Sequence, residues 1–194
     1  LPVYRRNPIG ATKAGLPETF HHRFVMCGLA AREVAHRLDM TPGRVRASAL
    51  EADLARHHTR PNYTAETLTA LRLRTPRDIS LIFLISSELV AGPRPQFARW
   101  YRPDIIVRYA TLAICPRPGY RINAHYLRAL AGRGTGVVWL PEVTTPDISA
   151  TERRERLRAG QSPLALAHHK LLLPSIARYI TQRDLYLGDG RATG

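Results

Sequence analysis

No apolar run in these 194 residues approaches the roughly 20 that a membrane-spanning helix needs. The longest candidate, Ile79 to Ile85, has the length of a buried strand. The two cysteines, Cys27 and Cys115, lie far apart and follow no CxxC or His/Cys ligand spacing. The plain reading is two buried thiols in a reducing compartment, with neither a disulfide framework nor a zinc site. That points inside the cell, to the cytoplasm ahead of an organelle matrix. Nothing near Leu1 reads as a signal peptide, because Arg5 and Arg6 are followed by no apolar stretch. There is no internal repeat and no low-complexity tract. Zinc-finger spacing and an RNP-like aromatic strand are also missing, which argues against the common nucleic-acid modules.

Acid is short as well. Lysine and arginine number 29 against 15 aspartates and glutamates, a formal charge of +14. A field of that sign attracts phosphates, on a small nucleotide or along RNA. The arginines are spread along the chain instead of forming a tail, so many of them read as solvated surface. Hydrophobic residues make up 44% of the chain, enough for the core of one domain of ordinary size.

Leu16-Pro17-Glu18 reads as a helix start. Phe20, Phe24, Cys27, Ala31, Val34 and Leu38 then recur at spacings of three and four, one face of a long helix that Thr41-Pro42-Gly43 ends. Val45, Ala47 and Ala49 alternate with polar neighbours, predicting a short strand, and the polar stretch 55–62 reads as a loop. Thr64 is placed to cap a second helix that Thr75-Pro76 terminates. The run Ile79 to Ile85 predicts a strand covered on both faces. Gly92 to Pro95 is a loop and Phe97 to Val107 a short helix. Leu112 to Cys115 is a buried strand, Ala124 to Ala131 a helix, and Val137 to Leu140 a further strand. Helices at Thr151 to Ala159 and Pro174 to Arg183 finish the chain. Such alternation implies βαβ units and an α/β fold, a parallel sheet flanked by helices, with ligands beyond the carboxyl ends of its strands.

Those ends carry distinctive segments. Residues 144–158 read TTPDISATERRERLR. Hydroxyls and free amides at a helix N-terminus, with an arginine one turn along, make an anion site. The stretch resembles the ISSTxIR signature of nicotinate-mononucleotide adenylyltransferases, with Ser149, Thr151 and Arg154 at matching positions. Pro61-Asn62-Tyr63-Thr64 with Thr67-Leu68 resembles that family's (S/N)YTxxTL. Phe97, Trp100 and Arg102 resemble its FxxWxR, Arg117 to Tyr120 its RPGY turn, and Pro174 to Ile180 with Leu185-Tyr186 its closing P-x-x-x-x-Y-I…L-Y. Pro8 to Lys13 resembles the loop that meets the substrate, and Arg23 with Met26-Cys27 fits the helix after it. Five ordered matches over most of the chain are hard to obtain by chance.

The resemblance implies a Rossmann-like nucleotidyltransferase fold in a single domain over residues 1–194, with a C-terminal helical portion over 145–187. It implies transfer of AMP from ATP to a pyridine mononucleotide in NAD biosynthesis, with Mg2+ as the family's cofactor. Lys13, Tyr63, Thr64, Trp100 and Arg117 would meet the pyridine nucleotide. Ser86, Ser87, Glu88, Ser149, Thr151 and Arg154 would meet ATP. Simpler roles stay open beside these: Trp100 as core, Thr64 as a cap, Arg154 as a solvated helix residue and Lys13 as loop charge.

Several positions depart from the family. Its first strand and following helix carry GGxFDPxHxGH, and no HxGH occurs among the eight histidines here. The family's catalytic histidines therefore have no counterpart, and the expectation is a chain lacking the first strand. The pairs His21-His22, His57-His58 and His168-His169 read as exposed polar residues. Ser86-Ser87-Glu88-Leu89 stands where the family has GADxL, adding a side chain near the nucleotide and a methylene to the acid. Ala150 replaces a serine and Arg153 an apolar residue. The alternative is thus a degenerate homologue, a basic scaffold meeting RNA or a ribonucleoprotein.

Overall fold

Three short apolar segments form one parallel sheet: β1 (Leu81–Ser86), β2 (Ala110–Cys115) and β3 (Val137–Trp139), in the order β1-β2-β3. Ser86 lies opposite Cys115 and Ile114 opposite Trp139, so the carboxyl ends of all three strands reach one edge. The structure is a computed structural model that describes residues 19–58, 60–133, 136–143 and 148–186. It divides into two compact units, Asn62–Asp147 and Leu1–Pro61 with Ile148–Gly194.

The Asn62–Asp147 unit holds the sheet with α3 (Thr64–Arg74), α4 (Pro103–Tyr109) and α5 (Ala124–Ala131). Ala65 and Leu68 of α3, Ile106 and Val107 of α4, and Leu127 and Leu130 of α5 pack with Ile85, Leu112 and Ile114 in one core, with Phe83 against it. All three helices therefore serve one face of the sheet. Residues paired in a parallel ladder share a face, and the opposite one presents Ile82 (70% exposed), Leu84 (60%) and Val138 (44%). Among the described residues the double covering expected for Ile79 to Ile85 is not found: β1 is an edge strand with one packed face, and β2 alone is buried on both.

The other unit contains α1 (Phe20–Arg37), α2 (Leu50–Ala55), α6 (Ala150–Arg158), α7 (Pro163–His168) and α8 (Pro174–Gln182). Met26, Leu157, Leu166, Ile180 and Leu185 form its core. Thr19 caps α1 by accepting from the His22 amide at 3.5 Å, while the proposed start at Leu16 lies outside the described residues. Leu38 is exposed and sits past the last turn instead of closing the apolar face.

Three local expectations are corrected. No strand forms over Val45 to Ala49, because the Ser48 hydroxyl accepts from the Leu50 amide at 3.3 Å and α2 begins there. An alternation built on two alanines has little apolar surface to hold an edge strand. The predicted helix from Phe97 to Val107 is split: a 3₁₀ turn at Gln96–Arg99 gives way to an extended Trp100 and a left-handed Arg102 (φ 49°), and α4 starts at Pro103. Pro103 keeps the residue before it out of right-handed helix, which enforces the break. Thr64 is not the cap of α3 but its first residue. Tyr63 occupies the cap position, and its amide donates to the Glu66 carboxylate at 3.0 Å.

Candidate functional site

Each helix of the sheet unit precedes a parallel strand, so its N-terminus returns to the edge where the strands end. The loop after β1, the loop after β2, the start of α3 and the segment before α4 consequently collect there. That edge receives Tyr63, Thr64, Ser86, Ser87, Glu88, Trp100 and Arg117, seven of the eleven residues singled out from sequence.

The loops after β1 and β2 are tied by one residue. Ser87 is fully buried, and its hydroxyl accepts from the Arg117 amide at 2.8 Å. The Glu88 carboxylate pairs with the Arg117 guanidinium. Ser86 accepts from the Glu88 amide at 3.4 Å, turning the chain into the 3₁₀ segment Ser87–Val90. The Arg117 guanidinium also lies 5.7 Å from the Tyr120 ring centroid. The serine and glutamate that depart from GADxL are thus not idle here. Glu88 holds the RPGY arginine, and Ser87 holds its backbone. Asn123 adds a further tie, with its amide donating to the Gly92 carbonyl at 2.9 Å and its oxygen capping α5 at Tyr126.

Beside this junction stands an aromatic wall. Tyr63 and Tyr101 stack with ring centroids 4.4 Å apart and an interplanar angle of 29°. Trp100 is half-buried, 5.2 Å from Phe97 and 6.3 Å from Phe83. Phe97 is fully buried, so one flank of Trp100 is core and the other remains accessible. The core and platform roles of Trp100 are therefore compatible. Arg102 and Asp104 brace the segment: Nε donates at 3.0 Å to Oδ1 and an η-nitrogen at 2.8 Å to Oδ2. The hydrogen bond from Arg102 holds the Asp104 carboxyl below its ordinary pKa.

Motif reading passes over Tyr101, the unspecified position between Trp100 and Arg102 in FxxWxR. Its signal was composition: an aromatic doublet at Trp100-Tyr101 in a chain with only 7% aromatic residues.

Ser149, Thr151 and Arg154 belong to the other unit, on α6. Ser149 caps the helix, its hydroxyl accepting from the Glu152 amide at 3.0 Å. Thr151 is exposed, and Arg154 reaches back to donate to its hydroxyl at 3.1 Å. A capped N-terminus with a hydroxyl on its first turn and a guanidinium one turn along presents the chemistry of an anion cradle. Lys13 and residues 144–147 lie outside the described residues. Among the histidines, His22 is half-buried and its Nδ1 lies 2.9 Å from the Tyr179 hydroxyl, a link between α1 and α8. That corrects the reading of this pair as merely exposed.

No protein-family model matches the chain. A probable nicotinate-nucleotide adenylyltransferase of Aeromonas salmonicida is 32% identical over 204 residues, which span 97% of this chain and 80% of the relative. The chain belongs to the nicotinate-nucleotide adenylyltransferase family. Proteins given the same name in Shigella boydii and Escherichia coli are 31% identical over 140 residues, 65% of this chain and 62% of their own length. The solved Plasmodium falciparum nicotinic acid mononucleotide adenylyltransferase complexed with NaAD has a TM-score of 0.63 at 18% identity, covering 95% of this chain and 79% of that one. The same enzyme complexed with APC gives 0.58 at 17%, over 87% and 76%. These likenesses establish the Rossmann-like nucleotidyltransferase fold. Among the described residues no helix is long and apolar enough to cross a membrane.

Proposed function

We propose that this chain serves the transfer of AMP from ATP to nicotinate mononucleotide, yielding the dinucleotide and pyrophosphate. The observation that carries the reading is the junction in which Ser87 and Glu88 fix Arg117 at the strand ends, where α/β sheets bind nucleotides. Family membership supports the same activity.

An oxygen of the mononucleotide phosphate attacks the α-phosphorus of ATP in line. The bond from that phosphorus to the β-phosphate oxygen breaks, and pyrophosphate leaves with the negative charge. The residues need supply only position and electrostatics. Trp100 offers a ring face to the nicotinate, and Tyr63 and Thr64 at the start of α3 border it. Lys13, by the family motif, meets the same substrate. Arg117 is presented to the nucleotide by Glu88. Ser87 acts as a positioning residue, since its hydroxyl is already occupied, and Ser86 lines the turn. Thr151 and Arg154, on the helix that Ser149 caps, take the ATP phosphates.

For magnesium, which the family implies, no three His, Cys, Asp or Glu side chains converge among the described residues. The ion would arrive with the substrate on the ATP phosphates, its usual habit, and would neutralise their charge. No residue of the chain is assigned the task of the family's HxGH histidines. A cytoplasmic setting fits the family's bacterial members. The RNA-scaffold alternative gains no support from the family relationship.

The test uses the two tryptophans, Trp100 and Trp139. In a Trp139→Phe background, nicotinate mononucleotide quenches the remaining emission saturably, and ATP alone does so far less. Unchanged emission with both nucleotides, alongside RNA retention that falls steeply with salt, overturns the reading.

A further inference from the structure

The excess of arginine is not absorbed by the nucleotide site. Part of it gathers in a groove of about 440 Å³ along α1 and α8. The groove exists because the two helices are pinned together. The Glu33 carboxylate, only 14% exposed, accepts from the Ser175 amide at the start of α8 at 2.9 Å and pairs with Arg37. Burial alone would raise the Glu33 pKa, but hydrogen bonds from Ser175 and the charge of Arg37 outweigh it, and the group stays ionised. Around this fixed point stand Arg32 and His36, one turn apart on α1, and Arg178, one turn into α8. Among the described residues no hydrogen bond or ion pair engages the side chains of Arg32, His36 or Arg178.

Three guanidiniums, Arg32, Arg37 and Arg178, against one carboxylate leave a net charge of +2. A monoanion would gain little beside Glu33. An anion carrying two or more charges matches the surplus, and guanidinium forks favour phosphate oxygens. The volume is that of a small-molecule site, not of an extended strand of nucleic acid. Leu29 and Pro174 give the groove an apolar side.

We propose that this groove is a second anion site, one that takes a small oligophosphate between Arg32 and Arg178. It rests on no assignment made for the nucleotide site.

Inorganic tripolyphosphate, titrated into the whole chain, tests it, with binding followed by calorimetry and the His36 ring resonances by NMR. Glutamine at position 36 (His36→Gln) assigns those resonances. The expected result is a saturable shift of His36 that weakens with salt. Affinity should fall tenfold or more in the double variant Arg32→Ser/Arg178→Ser, whose exposed sites leave folding intact, as circular dichroism would verify. The shift should persist in Arg154→Ala, which damages the nucleotide site, so the two readings fail separately. An unmoved His36, or equal binding by the double variant, overturns the proposal. Displacement of tripolyphosphate by single-stranded RNA at a lower phosphate concentration overturns the small-ligand assignment.

Discussion

Replacing Ser87 with alanine removes a single oxygen from a fully buried position and isolates one interaction. The Arg117 amide then loses its acceptor across the two loops. An unmade hydrogen bond of this kind costs about 1–3 kcal/mol when its donor is sealed from water. The Arg117 side chain is 27% exposed, so water has some access nearby, and about 1–2 kcal/mol is the figure to expect. For a chain of this size that lowers the melting temperature by roughly 2–8 °C. The neighbouring Glu88–Arg117 pair is a separate contribution. Its side chains are 31% and 27% exposed, and screening limits it to about 1 kcal/mol or less. Salt separates the two. In 0.5 M salt the loss caused by Glu88→Gln should shrink, while that of Ser87→Ala should persist. Thermal melts of both variants, with the exposed Ser80→Ala as a control, make the comparison. A Ser87→Ala melt indistinguishable from that of Ser80→Ala would refute the reasoning, as would a deficit that salt removes.

Trp100→Ala should raise the KM for the mononucleotide well beyond that for ATP, while Trp100→Phe keeps the packing against Phe97 and loses less; equal changes in both KM values would leave Trp100 as core alone. Tyr101→Ala should perturb the same KM by releasing the stack on Tyr63, and Tyr101→Phe should not, which steady-state kinetics on the pair decides. Arg154→Ala should weaken ATP retention by an order of magnitude in equilibrium binding, with mononucleotide binding spared. The Glu33 carboxyl is held below its ordinary 4.5 in the folded chain. Its stabilisation is therefore complete above that value and is lost as pH falls through the folded pKa, and acid denaturation of Glu33→Gln should lack that part of the slope.

Periodicity located α1, α3, α5, α6 and α8 and the three strands, since each carries its own apolar pattern. It failed where local chemistry competed with pattern. Ser48 diverted an alternating segment into α2, and Pro103 with a left-handed Arg102 cut one predicted helix in two. Motifs placed seven residues at one sheet edge without showing why they meet. The reason is the Ser87–Arg117 hydrogen bond, 30 positions apart in sequence, and the Tyr63–Tyr101 stack, neither of which has a periodic trace. Burial of β1 was over-read because a continuous apolar run does not report whether its strand lies at an edge. The α1–α8 groove was hidden for a similar reason: its arginines are more than 140 positions apart and read singly as surface.

The most direct measurement is dinucleotide formation by the protein isolated from its natural source, followed by mass spectrometry with ATP and nicotinate mononucleotide. The account predicts dinucleotide and pyrophosphate in equal amounts, only when both substrates are present, and far less with Arg154→Ala in the same protein. ATP cleaved without dinucleotide, or no turnover together with salt-sensitive RNA binding, would contradict it.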